Sequence, residues 1–437
     1  MNKNLIKEII REFQETELPQ LIQRETVIPL TSNKIVVLIG PRRSGKTYLL
    51  FSLMKNLIEE GFSKEQLIYI SFDNPLLMPF ESKDINLIIE AYREMYPEYV
   101  NKVNYIFLDE IQNVKEWELA VRFIHDTRKF KIFLTGSSSK LLSKEIATQL
   151  RGRAIGFQLF PFSFKELLKA NNIKTDRHLF YSQERYQVIK HLEEYFKTGG
   201  FPEVVLEDNT DLKIRILKEY IETMFFRDLI ERYRVKNQVL LRELMRFLAT
   251  NIANIFSLNS FYRFIKGTHP HTPRTLLNYL TYLEDIGFFY FIKKFSYSLK
   301  EQTRTLRKCY IVDNGIYHVY GFKFSENKGK ILENTVFLEL KNQQAKNPLM
   351  EIFYWQDNQK REVDFVVKEG KEVKTLIQVS DNLDNIKTRE REINSLLKAS
   401  EELRCNQLLV ITSDTEADEK IKGKEMRFLP LWKWLLS

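Results

Sequence analysis

Eight consecutive residues of this 437-residue chain have the types and spacing to grip phosphate: Gly40-Pro41-Arg42-Arg43-Ser44-Gly45-Lys46-Thr47 fits G-x-x-x-x-G-K-[ST]. An apolar run, IVVLIG (35–40), leads into them, and a helical run beginning at Tyr48, YLLFSLMKNLIEE, follows. In that strand–loop–helix setting the glycines let the backbone wrap closely around an anion. Successive N–H groups and the helix N-terminus supply partial positive charge. Lys46 then reaches the β and γ phosphates, and the Thr47 hydroxyl can ligate Mg²⁺. The expected ligands are ATP and Mg²⁺, with residues 40–47 and the adjoining Tyr48 around the nucleotide.

Hydrolysis needs carboxylates, and Tyr105-Ile-Phe-Leu-Asp109-Glu110 supplies two where an apolar strand ends. Open α/β sheets bind ligands at that edge. Asp109 is expected to join Thr47 around Mg²⁺, and Glu110 to orient and polarise the attacking water. A further run, FKIFLTG (130–136), leads to Ser137, so that Thr135 or Ser137 could sense the γ phosphate; plain turn chemistry explains them equally. Phosphoryl transfer also calls for positive charge on the transferring group, often an arginine from a neighbouring subunit. Arg151 and Arg153 in LRGR, and Arg227 in MFFRDLIERY, are candidates, although each alone also reads as a surface ion-pair former. A finger in trans would make the protein a homo-oligomer.

These groups need a scaffold that brings strand ends together. From Ile35 to about Gln158, short apolar runs at 35–40, 67–72, 105–109 and 130–136 alternate with helical stretches, the pattern of a buried parallel sheet with crossover helices. Residues 1–33 read as an amphipathic helix and an entry loop. The reading is mostly helical from about 160 to 238, then short helices and a β-hairpin to 324, then a helix and strands at 351–356, 362–368, 375–380 and 407–412. The length implies several domains. With 43% apolar and 29% charged residues, the composition is globular. Two cysteines, Cys309 and Cys405, exclude a disulfide framework and structural zinc, and suggest a reducing compartment. No apolar run approaches the roughly 18 residues of a membrane helix. The opening MNKNLIKEIIREFQE is charged throughout, unlike a secretory signal, so a cytoplasmic location is expected.

The net charge of +9 is not spread evenly. Residues 211–323 hold 19 Lys/Arg against 10 Asp/Glu, so the rest of the chain sums to zero. Within that stretch Lys293, Lys294, Lys300, Arg304, Arg307 and Lys308 face only Glu301, a candidate contact for the phosphate backbone of DNA. A solvated hairpin without a partner is the alternative. Just upstream, a Ser257-capped helix, a loop with His269 and His271, and a helix over 275–285 give the helix–turn–helix–hairpin order of a winged helix. The second helix ends in Glu284-Asp285, which disfavours base-specific readout, and the two histidines read as ordinary loop residues.

The segments GPRRSGKT, FLDEIQNVKEWE, FLTGSSSKLLSKE, LRGR, LFPFSFKELL and GGFPE, then KKFSYSLKEQTRTLRKCYIVDNG and the series GKILEN…YWQ…REVDFVV, occur in that order along nearly the whole chain. Together they resemble the AAA-type ATPases of archaea and bacteria that carry a C-terminal domain of the PD-(D/E)xK nuclease-like kind. The ATPase motifs are specific; the C-terminal ones are diffuse. The resemblance implies an α/β P-loop NTPase core with a parallel sheet (1–160), a helical lid (161–238), a winged-helix-like middle (239–325) and a small restriction-endonuclease-like α/β domain (326–437). In such a nuclease, acidic residues hold a metal and a lysine positions the water. Here Glu333 falls on a helix, and Glu362 and Asp364 share one strand face at period two. The next strand, however, reads Gln378-Val379-Ser380 where Glu-x-Lys belongs. Without the lysine the site reads as degenerate, and nothing argues for Lys374 or Lys387 taking its place. The expected function is a Mg²⁺-dependent ATPase coupled to a basic, DNA-binding region. The alternatives are a nucleotide-gated switch acting on a protein partner and, less favoured, an ATP-regulated nuclease.

Overall fold

Unbroken apolar runs with polar tips become the strands of a parallel sheet. The computed structural model describes residues 2–136, 150–175, 183–265, 272–322, 327–381 and 383–437, the side chains of 303 and 304 excepted. They form two units, Met1–Phe160 and Pro161–Ser437. In the first unit β1 (Ile35–Ile39), β2 (Leu67–Ser71), β3 (Asn104–Asp109), β4 (Phe130–Gly136) and β5 (Ala154–Gln158) are all parallel, in the order β2-β3-β4-β1-β5. Period-two alternation splits β1 between two cores. Ile35, Val37 and Ile39 face α1 (Lys3–Glu15), α3 (Ser82–Met95) and α4 (Trp117–Asp126). Val36 and Leu38 face α2 (Lys46–Glu59). The phosphate loop therefore leaves the sheet from β1, next to the polar tip of β4 and one strand further from that of β3. The edge strand β5, half exposed and interrupted by Gly156, is absent from the sequence reading.

In the second unit, helices α5 (Arg185–Thr198) and α6 (Thr210–Thr223) precede a π-helical segment, Met224–Glu231. Then come α7 (Gln238–Thr250), β6 (Ile255–Phe256), α8 (Leu258–Phe264), α9 (Pro273–Asp285), β7 (Phe289–Lys294), α10 (Leu299–Arg304), β8 (Arg307–Ile311) and α11 (Asn314–Tyr320). There follow α12 (Lys328–Lys346), β9 (Met350–Gln356), β10 (Glu362–Glu369), β11 (Glu372–Ser380), α13 (Ile386–Leu403), β12 (Leu408–Thr412), β13 (Ala417–Ile421), β14 (Lys424–Pro430) and a last short helix, α14 (Leu431–Leu436). The expected hairpin is β7 and β8, antiparallel, with α10 inserted between them. It does not stand apart. β7 also pairs with β9 in parallel, which fuses the middle and C-terminal stretches into one nine-stranded sheet, β13-β14-β12-β11-β10-β9-β7-β8-β6.

Two motifs distant in sequence meet in this unit. Asp313 caps α11, its Oδ1 accepting from Gly315 N (2.8 Å) and Ile316 N (3.2 Å). Its Oδ2 accepts from Gly200 N at 2.6 Å, so GGFPE (199–203) is tied to IVDNG (311–315). Burial pushes the Asp313 carboxyl up to about 6 despite these three donors.

Candidate active site

The loop after β1 is built around its lysine. Lys46 is buried, and its Nζ donates to the carbonyls of Gly40 (3.2 Å) and Pro41 (3.0 Å), which curls the loop over it. A Cβ at Gly40 would lie 2.1 Å from the Leu159 carbonyl oxygen, so only glycine fits where loop and chain pass. The Ser44 hydroxyl is buried and has no hydrogen-bond partner, a polar atom left for a ligand inside the loop. Arg24 braces the loop from outside, donating to Ser44 O (2.9 Å) and Phe160 O (2.7 Å). No sequence signal marks Arg24, because it lies in an irregular entry segment. Arg42 is half-buried, Arg43 is exposed with φ 64°, and Tyr48 is largely exposed beside the loop, edge-on to Phe51 at 6.0 Å.

Three strand tips converge on Asp109. Its Oδ2 accepts from Thr47 Oγ1 at 2.7 Å and from Tyr69 OH, on β2, at 3.0 Å. Thr135 Oγ1, from β4, donates to Oδ1. Burial raises the Asp109 pKa, Thr135 opposes the rise, and the charge on Glu110 adds to it. Glu110 follows with φ 53°, its N–H donating to Thr135 Oγ1 at 2.9 Å. The left-handed turn brings its carboxylate to 3.9 Å from Lys46 Nζ, where Gln112 Nε2 also donates to it. A residue other than glycine at positive φ is uncommon and clusters at functional sites. Lys46, Thr47, Asp109, Glu110 and Thr135 thus form one constellation. The donor set of Thr47 hydroxyl and Asp109 carboxylate is the hard-oxygen chemistry that Mg²⁺ takes. Tyr69 carries no sequence signal, since a tyrosine inside a strand looks like core.

The arginine candidates separate. Arg151 is exposed with φ 48°, shortly after the segment outside the described residues that contains Ser137. Arg153 is engaged instead: Nε lies 2.8 Å from Asp126 Oδ1 and Nη2 3.1 Å from Oδ2, a bidentate ion pair. Arg227 belongs to the second unit, on the exposed side of the π-helical segment.

The basic cluster needs one correction. Lys308 is not a surface cation: it is 1% exposed and ion-paired with Glu333, Glu362 and Asp364. Strand period sends residue 308 inward while 307 stays out. Of the others, Lys300 is exposed, Lys293 and Lys294 are half-buried, and Arg307 is half-exposed. Lys294 lies 3.9 Å from Glu301 and Arg307 3.9 Å from Glu284. Arg304 ends α10, with its side chain outside the described atoms, as are His269 and His271. The expectation of a site without lysine falls with the same observation, since Lys308 reaches the acidic cluster from β8. Lys374 pairs with Glu372 on the surface and Lys387 is exposed, while Ser380 is buried on β11.

The chain is similar to known proteins along its whole length. Residues 32–168 match the model of an AAA domain, 189–326 a domain of unknown function (DUF8612) and 328–434 another (DUF4143). The chain is 36% identical over 443 residues to the uncharacterized protein MJ1544 of Methanocaldococcus jannaschii, covering 100% of this chain and 96% of that protein. An uncharacterized protein of Haemophilus influenzae is 31% identical over 423 residues, 96% of this chain and 97% of the relative. Among solved structures, the Walker-type ATPase PABY2304 of Pyrococcus abyssi aligns at a TM-score of 0.43 and 16% identity, over 70% of this chain and 99% of that one. Among the described residues, no helix is long and apolar enough to cross a membrane.

Proposed function

We propose that this chain, which belongs to the family of AAA-domain proteins that includes MJ1544 of M. jannaschii, is a Mg²⁺-dependent ATPase whose second unit contacts DNA. The observation that carries the reading is the hydrogen bond between Thr47 and Asp109 with Glu110 beside Lys46. Thr47 and Asp109 would hold Mg²⁺, whose charge would offset that of the phosphates. The loop N–H groups orient the phosphates, and Lys46 leaves its loop carbonyls to meet them. Thr135 holds both Asp109 and the Glu110 backbone, so it positions the two carboxylates together. Glu110 accepts a hydrogen bond from the attacking water and aims it. Exposed Arg151 is the better finger candidate in its segment, because Arg153 would have to give up Asp126.

In the second unit, two helices and the β7–β8 pair support a winged-helix-like middle, and α12 against β9–β12 supports a restriction-endonuclease-like end. Lys293, Lys300 and Arg307 remain as candidates for phosphate contact. Reversing all three to Glu is expected to weaken duplex binding for all sequences alike and to lower the salt slope by roughly 0.9 for each phosphate no longer neutralised. Anisotropy titrations across a salt series, run alongside ATP turnover with and without DNA, make the measurement. A parental chain that binds no DNA at low salt removes DNA from the function. DNA-insensitive slow turnover then favours an ATP-gated switch for a protein partner.

A further inference from the structure

Three carboxylates and one ammonium meet at a buried point in the second unit. Lys308 Nζ lies 2.7 Å from Glu333 Oε1, 2.6 Å from Glu362 Oε1 and 2.8 Å from Asp364 Oδ1. Each of its three N–H groups has a carboxylate oxygen. The four residues come from β8, α12 and β10.

The remaining valences are nearly filled. Asp364 Oδ2 accepts from Gln378 Nε2 and Val379 N, both at 2.9 Å. Tyr310 OH donates to Glu333 Oε1 at 2.7 Å, and Gln356 Nε2 to Glu362 Oε2 at 3.2 Å. Among the described residues, one fully buried acceptor at this cluster has no partner. Gln378 is 4% exposed, its amide lies against Asp364, and its Oε1 has no hydrogen-bond partner. Buried unpaired oxygen beside clustered carboxylates is what a cation site offers.

Buried carboxylates need a counter-cation. Burial alone would push the Lys308 pKa down, but Asp364, Glu333, Tyr310 and Glu362 outweigh it and the net shift is well upward. Three carboxylate oxygens within 2.8 Å hold the lysine as the cluster's positive charge. Among the described residues no group of three or more His, Cys, Asp or Glu is arranged to hold a metal ion. Glu362 borders a cavity of about 420 Å³ lined also by Phe247, Asn251, Asn254 and Ser260.

We propose that the Lys308 ammonium is the resident cation of this acidic cluster, standing where a divalent ion would otherwise bind and excluding it. The tethered charge ties β8 to β10 and α12 and closes the cluster to metal-dependent hydrolysis. Three carboxylate oxygens face one point, and a side-chain ammonium fills it. Oxygens at 2.6–2.8 Å need close in only slightly to reach the roughly 2.3–2.6 Å of Ca²⁺, and further for Mg²⁺ at about 2.0–2.1 Å.

The test titrates Mn²⁺, followed by electron paramagnetic resonance, into the full chain without nucleotide. The parental protein, Lys308→Ala, Asp364→Asn and the double variant are compared. The parental chain is expected to show no Mn²⁺ binding that Asp364→Asn removes. Lys308→Ala is expected to gain one site per chain, abolished again in the double variant, and to melt higher with Ca²⁺. Parental binding abolished by Asp364→Asn overturns the proposal, as does a folded Lys308→Ala that gains no site. If Lys308→Ala folds only with Mn²⁺ or Ca²⁺ present, the divalent ion has replaced the ammonium as proposed. If neither ion restores folding, the proposed exchange is refuted.

Discussion

Glu110→Gln is expected to lower ATP turnover by about 10²–10⁴-fold while leaving nucleotide affinity close to parental. The amide has the carboxylate's shape but is a poor acceptor for the water's proton. The phosphate cradle, made by residues 40–47, is untouched. The left-handed turn at Glu110 and its N–H bond to Thr135 are backbone features, so the variant should keep the local geometry. Binding by fluorescent nucleotide and turnover by phosphate release separate the two effects. A Glu110→Gln chain that hydrolyses ATP at the parental rate shows that another group aims the water.

Gly199→Ala should cost the second unit about 3–5 kcal/mol, from a backbone conformation of the glycine-only kind together with a steric clash. Gly199 has φ 74° and ψ −160°, outside the left-handed helical region that Asn or Asp tolerate. Its Cβ would fall 1.9 Å from Asp313 Oδ1 and 2.2 Å from Oδ2. Moving Asp313 aside would orphan the Gly200, Gly315 and Ile316 N–H groups that it satisfies. At about 2–4 °C per kcal/mol for domains of this size, the melting temperature should fall by roughly 10 °C. Gly370→Ala is the control: φ is also positive, at 57°, but nothing lies within 4 Å of the added carbon. An equal fall at the two positions would show that the Asp313 contact contributes nothing.

The first unit is legible in the sequence because its strands are buried on both faces and read as continuous apolar runs, and because a phosphate loop carries its own spacing. Asp109 and Glu110 follow from strand order. β5 escapes because AIGFQ is interrupted by Gly156 and, half exposed at the sheet edge, lacks the unbroken apolar run of the central strands. Lys308 is hidden for a different reason. Counting charge along KKFSYSLKEQTRTLRKCY ignores which face of a strand each residue takes. Period two on KCYI places Lys308 with Tyr310, and both bond Glu333. Their common partner sits on a separate helix, and Glu362 and Asp364 arrive only through the fusion of the two stretches into one sheet. The pairing of Asp313 with GGFPE spans 113 residues and leaves no local trace.

Phosphate release from ATP by the full chain, measured with Mg²⁺, with the metal chelated and in Lys46→Ala, tests the central claim most directly. The arrangement of Lys46, Thr47, Asp109 and Glu110 predicts turnover that needs Mg²⁺ and that disappears in Lys46→Ala together with nucleotide binding. Turnover that persists in Lys46→Ala, or a parental chain that binds no nucleotide at all, would contradict it.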